Sequence, residues 1–308
     1  MNTPMMRRIR PVELASLLWE FSESDVPTFV LPNTAFGLLA ALAAPALVEG
    51  AQSPSFWSLL IHGVPRMLLF NWANVFIFEL ANQRLPESVK EDMANKPWRP
   101  LPRGRISQTQ TRQLLLGAVP AVLVLSAALG AGNESALILL LAWMYNDLRG
   151  GDELSRDIII AIAYDIFLVS SLRIGMTATT ATTAASAAPI RISTMGHCWL
   201  AIIGCVIATT MQVQDLKDQV GDRLRSRKTW PIVLGDEVSR WWIAACVPFW
   251  SFACVLFWKT PVWVSAIPVF LGLWVCACVL LKMGDAKAWR WWCLWQVALY
   301  GLPIYSSL

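Results

Sequence analysis

Charged residues are scarce in this chain. Only 15% of its 308 residues are Asp, Glu, Lys or Arg, whereas 56% are hydrophobic. A typical soluble domain carries about 25% charged residues. The apolar residues also fall in long blocks. This composition excludes an ordinary soluble protein and predicts an integral membrane protein.

Histidine is nearly absent, with His62 and His197 the only two, so histidine-rich chemistry is excluded. All seven cysteines lie within apolar blocks of the second half of the chain. Cys276 and Cys278 are separated by one residue, which is not a zinc-binding spacing, and no histidine is near them. We therefore expect buried thiols that act as small hydrophobic side chains, without disulfides or a cysteine metal site.

A cleavable signal peptide is not apparent either. The N-terminal segment MNTPMMRRIRPVEL is basic, but no short apolar core with a small-residue cleavage site follows it. We expect the first apolar span to direct insertion into the membrane.

What the chain does contain is a series of apolar segments near the roughly 20 residues that a helix needs to cross a bilayer. The sequence predicts an all-α polytopic membrane protein in which about nine transmembrane helices surround a central cavity, as a single domain over residues 1–308. The predicted spans are 26–48, 56–82, 113–132, 134–148, 156–176, 194–214, 241–258, 261–282 and 287–305.

The loop charges orient these spans. Each even-numbered span leads into a loop rich in Lys and Arg, whereas only Arg191 and Lys259 fall on the opposite side. Because basic loops stay in the cytosol, the N-terminus and these loops are predicted to be cytosolic. The endoplasmic reticulum is the expected membrane, and the low-complexity segment 177–193 is expected to be a lumenal connection.

Two long cytosolic loops, 83–112 and 215–240, carry the most informative polar residues. In the second, Asp215, Asp218 and Asp222 are spaced three and four residues apart and so share one helix face. Three like charges on one face repel, and Mg²⁺ shared with substrate phosphates relieves that repulsion. A solvated helix end is the alternative. The adjoining Arg223 is a candidate for binding an anionic substrate, although the cations here also fit a role in topology.

The first loop follows a similar pattern. Glu79, Asn82 and Gln83 share one helix face near the membrane boundary, where a polar cluster indicates a functional site. Asp92 then precedes Lys96 and Arg99. Because Pro97, Pro100 and Pro102 keep this segment out of a helix, a rigid turn that binds phosphate is predicted.

A third polar group, Tyr145, Asn146 and Asp147, ends an apolar helix before Gly150-Gly151. It is either an ordinary helix end or a polar wall of the same cavity. Asp165 lies within the fifth span, with Tyr164 next to it, and is a candidate for a cavity role.

These segments resemble a known family. DLKDQVGDRLRSRKTWPIVLGDE looks like the second aspartate-rich motif of the UbiA superfamily of intramembrane prenyltransferases, and DMANKPWRPLPRGRIS looks like the end of its first motif. The resemblance implies Mg²⁺ and an isoprenyl diphosphate bound by the two motifs. The first motif departs from the family pattern, because Glu79, Asn82 and Gln83 replace an asparagine and two aspartates. FELANQ and YNDLRGGDE resemble a fungal branch that includes terpene cyclases.

The predicted function is a Mg²⁺-dependent membrane terpene cyclase acting on an isoprenyl diphosphate, with farnesyl diphosphate expected. The alternatives are an intramembrane prenyltransferase with an aromatic or other small acceptor and, more distantly, a transporter, for which midplane carboxylates and broken helices are expected. Membrane lipid is expected to surround the protein, and no nucleic-acid partner is expected. The sequence leaves the oligomeric state open.

The predicted catalytic residues are Asp215, Asp218, Asp222 and Glu79. The predicted metal ligands are Glu79, Asn82, Gln83, Asp92, Asp215, Asp218 and Asp222. The predicted substrate-binding residues are Asn82, Gln83, Lys96, Arg99, Arg223, Tyr145, Asn146 and Asp147.

Overall fold

The structure is a computed structural model that describes residues 11–180 and 190–306. The arginines of the basic N-terminus and most of the low-complexity segment 177–193 lie outside this range. Within it the chain is helical apart from one isolated bridge between Val48 and Ile192. The all-α prediction is therefore confirmed.

The described part of the chain contains twelve helices of ten or more residues. They are α1 (Pro11–Ser22), α2 (Leu31–Leu42), α3 (Val64–Gln83), α4 (Pro86–Asn95), α5 (Gln108–Ala128), α6 (Gly132–Asn146), α7 (Arg156–Thr180), α8 (Thr194–Thr210), α9 (Asp215–Arg225), α10 (Asp236–Trp258), α11 (Val262–Leu280) and α12 (Asp285–Tyr300). Shorter turns extend or join them at Val26–Val30, Ala44–Leu47, Phe56–Ser58, Leu59–Gly63, Gly150–Asp152, Met211–Gln214, Trp230–Val233 and Leu302–Ser306.

Each predicted span coincides with one of these helices or with a helix and its adjoining turns. By length and apolar composition, five helical segments of the described chain are able to cross a membrane. They are Gln108–Ala128, Arg156–Thr179, Thr194–Arg225, Asp236–Trp258 and Val262–Leu280. A sixth arises if the bent pair Ala15–Ser22 and Val26–Leu42 forms one span. The membrane fold agrees with the sequence prediction, and the count of nine stays a prediction.

The first span differs from its predicted form. The sequence placed its start at residue 26, whereas the helical chain already begins with α1 and bends by 59° before continuing. Pro27 has no backbone N–H and cannot continue the α1 hydrogen-bond ladder. The carbonyl of Asp25 instead accepts from the N–H groups of Phe29 and Val30, at 2.8 and 3.0 Å. The bend leaves the Asp25 side chain beside the polar loops.

The centre of the bundle is the packing of α7 against α2, α3, α6 and α8, while α10, α11 and α12 pack side by side. Gly37 on α2 allows a close approach to α7. A Cβ built on Gly37 lies 2.7 Å from the Cβ and 2.9 Å from the backbone carbon of Ser171 on α7. These two helices are in contact because residue 37 has no side chain.

At one end of the bundle, α4 packs against α9 and so joins the two polar loops. Asn95 bridges them, because its Nδ2 donates to the Asp218 carbonyl at 2.9 Å and its Oδ1 accepts from the Gly221 N–H at 3.0 Å. A Cβ on Gly221 would lie 2.3 Å from the Asn95 amide nitrogen. This contact explains a glycine inside a charged helix.

Substitution Gly37→Ala tests the packing of α2 on α7. The added methyl forces the helices apart, and overpacking of this kind costs about 1–3 kcal/mol. We expect a lower midpoint of thermal unfolding in detergent.

Gly117→Ala on α5 is the matched control. No atom lies within 4 Å of a Cβ built on Gly117, and alanine is the better helix former, so stability should be unchanged or higher. Equal midpoints for Gly37→Ala and the parent protein would contradict the close packing.

Candidate active site

A cavity of about 170 Å³ lies at the end of the bundle where α4 meets α9. A single water needs roughly 10–15 Å³ by the same measure, so the cavity accepts an organic ligand. The polar mouth is lined by Asp25, Glu79, Asn82, Glu91, Asp92, Asn95, Lys96, Arg99, Tyr145, Arg156, Gln214, Asp215, Asp218, Asp222 and Arg227. The apolar interior is lined mainly by Phe29, Val75, Phe78, Ile138, Leu141, Ala142, Ile159, Ile160, Ala163, Tyr164, Phe167, Met211 and Trp289.

The three aspartates of α9 all line the mouth, as their shared helix face predicts. Asp215 is buried, and its Oδ1 accepts from Arg156 at 2.6 Å, while its Oδ2 has no partner among the described residues. Asp218 pairs with Lys217. Asp222 is buried and accepts from the Thr229 hydroxyl at 3.2 Å. One oxygen of Asp215 is therefore available to a ligand.

Arg99 organises the opposite side of the mouth. It is only 3% exposed, and its Nη2 donates to Glu79 at 2.8 Å. Its Nη1 lies 3.1 Å from both carboxylate oxygens of Asp92, and Asp25 is 3.8 Å away. The sequence assigned Arg99 to the substrate phosphates. In the structure the guanidinium lines the mouth and is surrounded by carboxylates that it compensates, so its binding of phosphate stays a prediction.

The ionisation of this group follows from its burial. Burial raises the pKa of Asp92, and the nearby Arg99 charge opposes that shift. Burial lowers the pKa of Arg99, but Glu79 and Asp92 more than offset this, so its pKa lies above the ordinary arginine value. Arg99 therefore stays charged, and each carboxylate depends on it for the stability of its ionised form.

The two amides of the first motif have different surroundings. Asn82 lines the mouth, and its buried Oδ1 has no partner among the described residues. Gln83 lies behind Glu79, and its Nε2 donates to Glu79 at 2.7 Å and to the Phe21 carbonyl at 2.9 Å. The sequence proposed both amides as ligands. Through its Nε2, Gln83 orients Glu79 and ties α3 to α1, whereas its Oε1 has no partner among the described residues. Gln83 is not among the residues that line the cavity, and its role as a ligand stays a prediction.

Four cations of the described chain line the mouth, and the sequence singled out two of them, Lys96 and Arg99, as substrate-binding residues. Lys96 lines it as predicted, and no ion pair to Lys96 is found in residues 11–180 and 190–306. Arg156 and Arg227 line it as well. Arg223 is exposed on the outer face of α9 near Gln219, because adjacent helix residues point about 100° apart.

Of the three polar residues predicted at the end of α6, only Tyr145 lines the cavity. Tyr145 lines the mouth, and a Cβ on Gly151 would lie 2.4 Å from its ring, so this glycine lets the loop close over the tyrosine. Asn146 turns back to the Ala142 carbonyl at 2.9 Å, and Asp147 pairs with Arg84. Neither Asn146 nor Asp147 is among the described residues that line the cavity. A helix end directs successive side chains in different directions, so the three could not all face one site.

The sequence reasoning missed several residues of the mouth. Asp25 and Arg156 are ionisable residues at the edges of apolar spans, the same signal that identified Glu79. Arg227 is one of the cations after Asp222 for which the sequence left a substrate role and a topological role open; it is 8% exposed and lies 3.3 Å from Glu91. No spacing rule predicts that contact, since it depends on α4 packing against α9.

The donor set suits Mg²⁺. The described residues contain no group of three His, Cys, Asp or Glu side chains already arranged around a common point. Mg²⁺ does not require one, because it is commonly held by one or two carboxylates, waters and substrate phosphates. The unpartnered Asp215 Oδ2 and Asn82 Oδ1 are hard oxygen donors of the required kind, at the same mouth.

Sequence comparison identifies relatives over nearly the whole chain. The profile of the UbiA prenyltransferase family matches residues 33–299. Fumagillin β-trans-bergamotene synthase of Aspergillus fumigatus is 28% identical over 304 residues, which cover 97% of this chain and 95% of that protein. Somaliensene A/B synthase of Streptomyces somaliensis is 27% identical over 259 residues, which cover 82% and 78% of the two chains.

Solved structures share the fold at low identity. A UbiA homologue from Archaeoglobus fulgidus bound to GPP and Mg²⁺ has a TM-score of 0.59 at 12% identity, with coverage of 92% of this chain and 99% of that one. A structure of digeranylgeranylglyceryl phosphate synthase has a TM-score of 0.57 at 15% identity, with coverage of 96% and 99%.

Arg99→Gln tests whether one arginine stabilises the first-motif side of the mouth. The substitution leaves Glu79 and Asp92 buried without their counter-charge, and breaking a buried pair in this way costs about 3–5 kcal/mol. We expect a markedly lower midpoint of thermal unfolding, with partial recovery in Glu79→Gln/Arg99→Gln.

Arg223→Gln, an exposed arginine on the same end of the bundle, is the control and should change stability by roughly 0.5 kcal/mol or less. If Arg99→Gln is as stable as Arg223→Gln, the ion pairs do not stabilise the mouth.

Proposed function

Because the chain belongs to the UbiA prenyltransferase family, we propose that it is a Mg²⁺-dependent membrane terpene cyclase. It ionises an isoprenyl diphosphate and closes the resulting carbocation into a ring within the apolar interior. Farnesyl diphosphate is the expected substrate. The observation that carries the proposal is a single cavity in which a charged mouth continues into an aromatic interior.

The relatives support cyclisation over transfer. The two curated relatives are named as synthases of bergamotene and of somaliensenes, and one of them covers 97% of this chain. The Archaeoglobus fulgidus structure is described with GPP and Mg²⁺, which supports an isoprenyl diphosphate and a divalent cation as ligands. A transporter is disfavoured, since the carboxylates that line the cavity gather at its polar mouth.

The charged mouth is the expected site of the diphosphate. Asp215, Asp218, Asp222 and Asn82 are the proposed Mg²⁺ ligands, and the bound metal supplies positive charge that stabilises the departing pyrophosphate. Glu79 and Asp92 are further candidate Mg²⁺ ligands on the opposite side of the mouth, where the metal would compete with Arg99 for their carboxylate oxygens.

Arg156, Lys96 and Arg227 are the proposed diphosphate-binding cations. Arg156 is fixed by Asp215 at 2.6 Å and by Asp157 at 3.3 Å, so its charge is held beside the aspartates of α9. A preorganised cation stabilises negative charge that develops on the leaving group without further reorganisation. Arg156 thus holds Asp215 in position and adds positive charge where the pyrophosphate forms.

The interior is suited to an isoprenoid chain and to its cation. The Phe29 ring lies 4.4 Å from that of Tyr164 and 4.8 Å from that of Phe167, and all three line the cavity. Aromatic faces attract cations, and a closed apolar wall excludes water that would otherwise capture the carbocation. These rings hold the substrate folded while its double bonds reach the cationic carbon.

The protein is expected to be a single membrane domain with a cytosolic mouth. Loop charge supports a mouth that faces the cytosol, and the endoplasmic reticulum stays the expected membrane. The family match over 33–299 supports one domain for the whole chain. Membrane lipid surrounds the helices. An intramembrane prenyltransferase is the alternative, since the same ionisation followed by attack of an acceptor needs the same mouth.

The proposal predicts turnover without an acceptor. Purified protein given Mg²⁺ and farnesyl diphosphate alone should release pyrophosphate and a hydrocarbon, detected by a phosphate-coupled assay and by gas chromatography with mass spectrometry. Parallel reactions with geranyl and geranylgeranyl diphosphates establish chain length. Pyrophosphate release that requires an added acceptor would establish the transferase instead.

Asp222→Asn should reduce the rate of pyrophosphate release by about a hundredfold or more, the typical cost of losing one electrostatic contact to a transition state. It should also weaken the rise in thermal stability that Mg²⁺ and pyrophosphate give to the parent protein, a readout independent of turnover.

Asp147→Asn is the matched control, because Asp147 pairs with Arg84 away from the cavity lining, and it should retain activity. Full activity of Asp222→Asn, or of the parent protein in excess EDTA, would refute the metal assignment.

A further inference from the structure

The cavity ends where three helices contribute their innermost lining residues. Helices α3 and α6 run toward the mouth and α7 runs away from it, and their lining residues at the mouth are Asn82, Tyr145 and Arg156. At the other end, the last described residues that line the cavity are Val75 on α3, Ile138 on α6 and Phe167 on α7. All three belong to one buried hydrophobic cluster, so the helices converge there. We call these three residues the floor.

The bundle is filled behind the floor. Five further buried residues of the described chain belong to the same cluster without lining the cavity, namely Val30, Met67, Phe70, Ala131 and Ile174. Phe70 has no solvent exposure and lies five residues before Val75 on α3, further from the mouth. A ligand that enters from the mouth therefore meets packed side chains past the floor.

Phe167 is the largest side chain of the floor. Side chains on a helix lean toward its N-terminus, and α7 begins at the mouth, so Phe167 leans into the cavity. Its ring centroid lies 4.8 Å from that of Phe29, at an interplanar angle of 82°, and 6.2 Å from that of Phe70. Val75 and Ile138 lean away from the mouth, because α3 and α6 run in the opposite direction. The Phe167 ring is thus the part of the floor that projects furthest toward the mouth.

The depth of the floor distinguishes two isoprenoid lengths. Phe167 is eleven residues after Arg156 on α7, which places it about 16 Å deeper at 1.5 Å per residue. Three extended backbone bonds span about 3.5 Å, so an isoprenyl unit of four chain bonds spans about 4.7 Å. Three units then span about 14 Å and four units about 19 Å. An extended farnesyl chain ends just before Phe167, whereas a geranylgeranyl chain would pass it.

We propose that Phe167 determines the length of the isoprenyl diphosphate that the protein accepts and limits it to three isoprenyl units. This inference rests on the proposed function, because it takes the diphosphate to be bound at the mouth. The ring stops the far end of the chain. A fourth unit would have to displace Phe167 together with the residues packed behind it, and closely packed interiors resist such displacement.

The expected selectivity is large. One methylene too many or too few in an apolar pocket changes kcat/KM by about 10–200-fold, and a fourth isoprenyl unit adds a whole branched segment. Removal of the Phe167 ring would leave apolar space. An engineered apolar cavity of about 150 Å³ stays dry and binds benzene, so the space left by the ring should accept the additional unit.

The test compares Phe167→Ala and Phe167→Leu with the parent full-length protein, using farnesyl and geranylgeranyl diphosphates with Mg²⁺. The parent should favour farnesyl diphosphate by about tenfold or more in kcat/KM for pyrophosphate release. Phe167→Ala should shift that ratio toward geranylgeranyl diphosphate by about tenfold or more. Phe167→Leu should shift it less, because leucine fills part of the space. Thermal stabilisation by unreactive thio analogues of the two diphosphates gives the same comparison without turnover.

Phe36→Leu is the matched control. Phe36 is an equally buried ring on α2 that packs against Tyr300, with the centroids 5.0 Å apart, and it does not line the cavity. Its replacement removes a similar amount of buried surface, so thermal stability should fall while the preference for farnesyl diphosphate stays that of the parent.

A parent protein that uses and binds both lengths equally well overturns the inference, and so does an unchanged preference in the Phe167 variants. If Phe167→Ala does not fold, Phe167→Leu decides the question, because it keeps an apolar side chain at the floor. Failure of the cyclase function gives a different result. Pyrophosphate release would then require an acceptor, while the thio analogues still report the accepted length.

Discussion

Burial of carboxylates against arginines is the constraint on which the rest of the site depends. Arg99 and Arg156 are each 3% exposed, and they compensate Glu79, Asp92 and Asp215. Without them the mouth would hold several uncompensated charges beside an apolar bundle, which is prohibitively unfavourable. The same pairs fix the carboxylates in place, so stability and preorganisation have one physical cause.

The polar mouth also explains the packing around it. Arg225 contacts Ser88 at 2.7 Å, Glu91 at 3.1 Å and Asp152 at 2.8 Å. It therefore joins α9 to α4 and to the loop after α6. Together with the Asn95 bridge, this network makes one rigid end of the bundle from three separate parts of the sequence. The interior below it is lined mainly by apolar and aromatic side chains.

Local patterns predicted the helices and the aspartate face of α9, because both follow from periodicity within a few turns. Asp215, Asp218 and Asp222 face one cavity since the spacing of an α-helix allows little else. Contacts between distant segments were not accessible in this way. Arg227 enters the mouth and Arg223, four residues before it, does not, because the chain leaves the helix at Ser226, which has a left-handed backbone. Arg99 was predicted to bind phosphate because it lies in a proline-rich basic turn, and its contact with Glu79 of α3 depends on how distant segments pack.

The most direct test of the account is an experimental structure of the full-length protein in lipid nanodiscs with Mg²⁺ and an unreactive thio analogue of farnesyl diphosphate. The account predicts the diphosphate at the mouth, between the Asp215 side of α9 and the cations Arg156, Lys96 and Arg227. The isoprenoid chain should lie along Phe29 and Tyr164, with its far end at Phe167. A diphosphate bound away from α9, or an isoprenoid chain directed into the lipid, would contradict it.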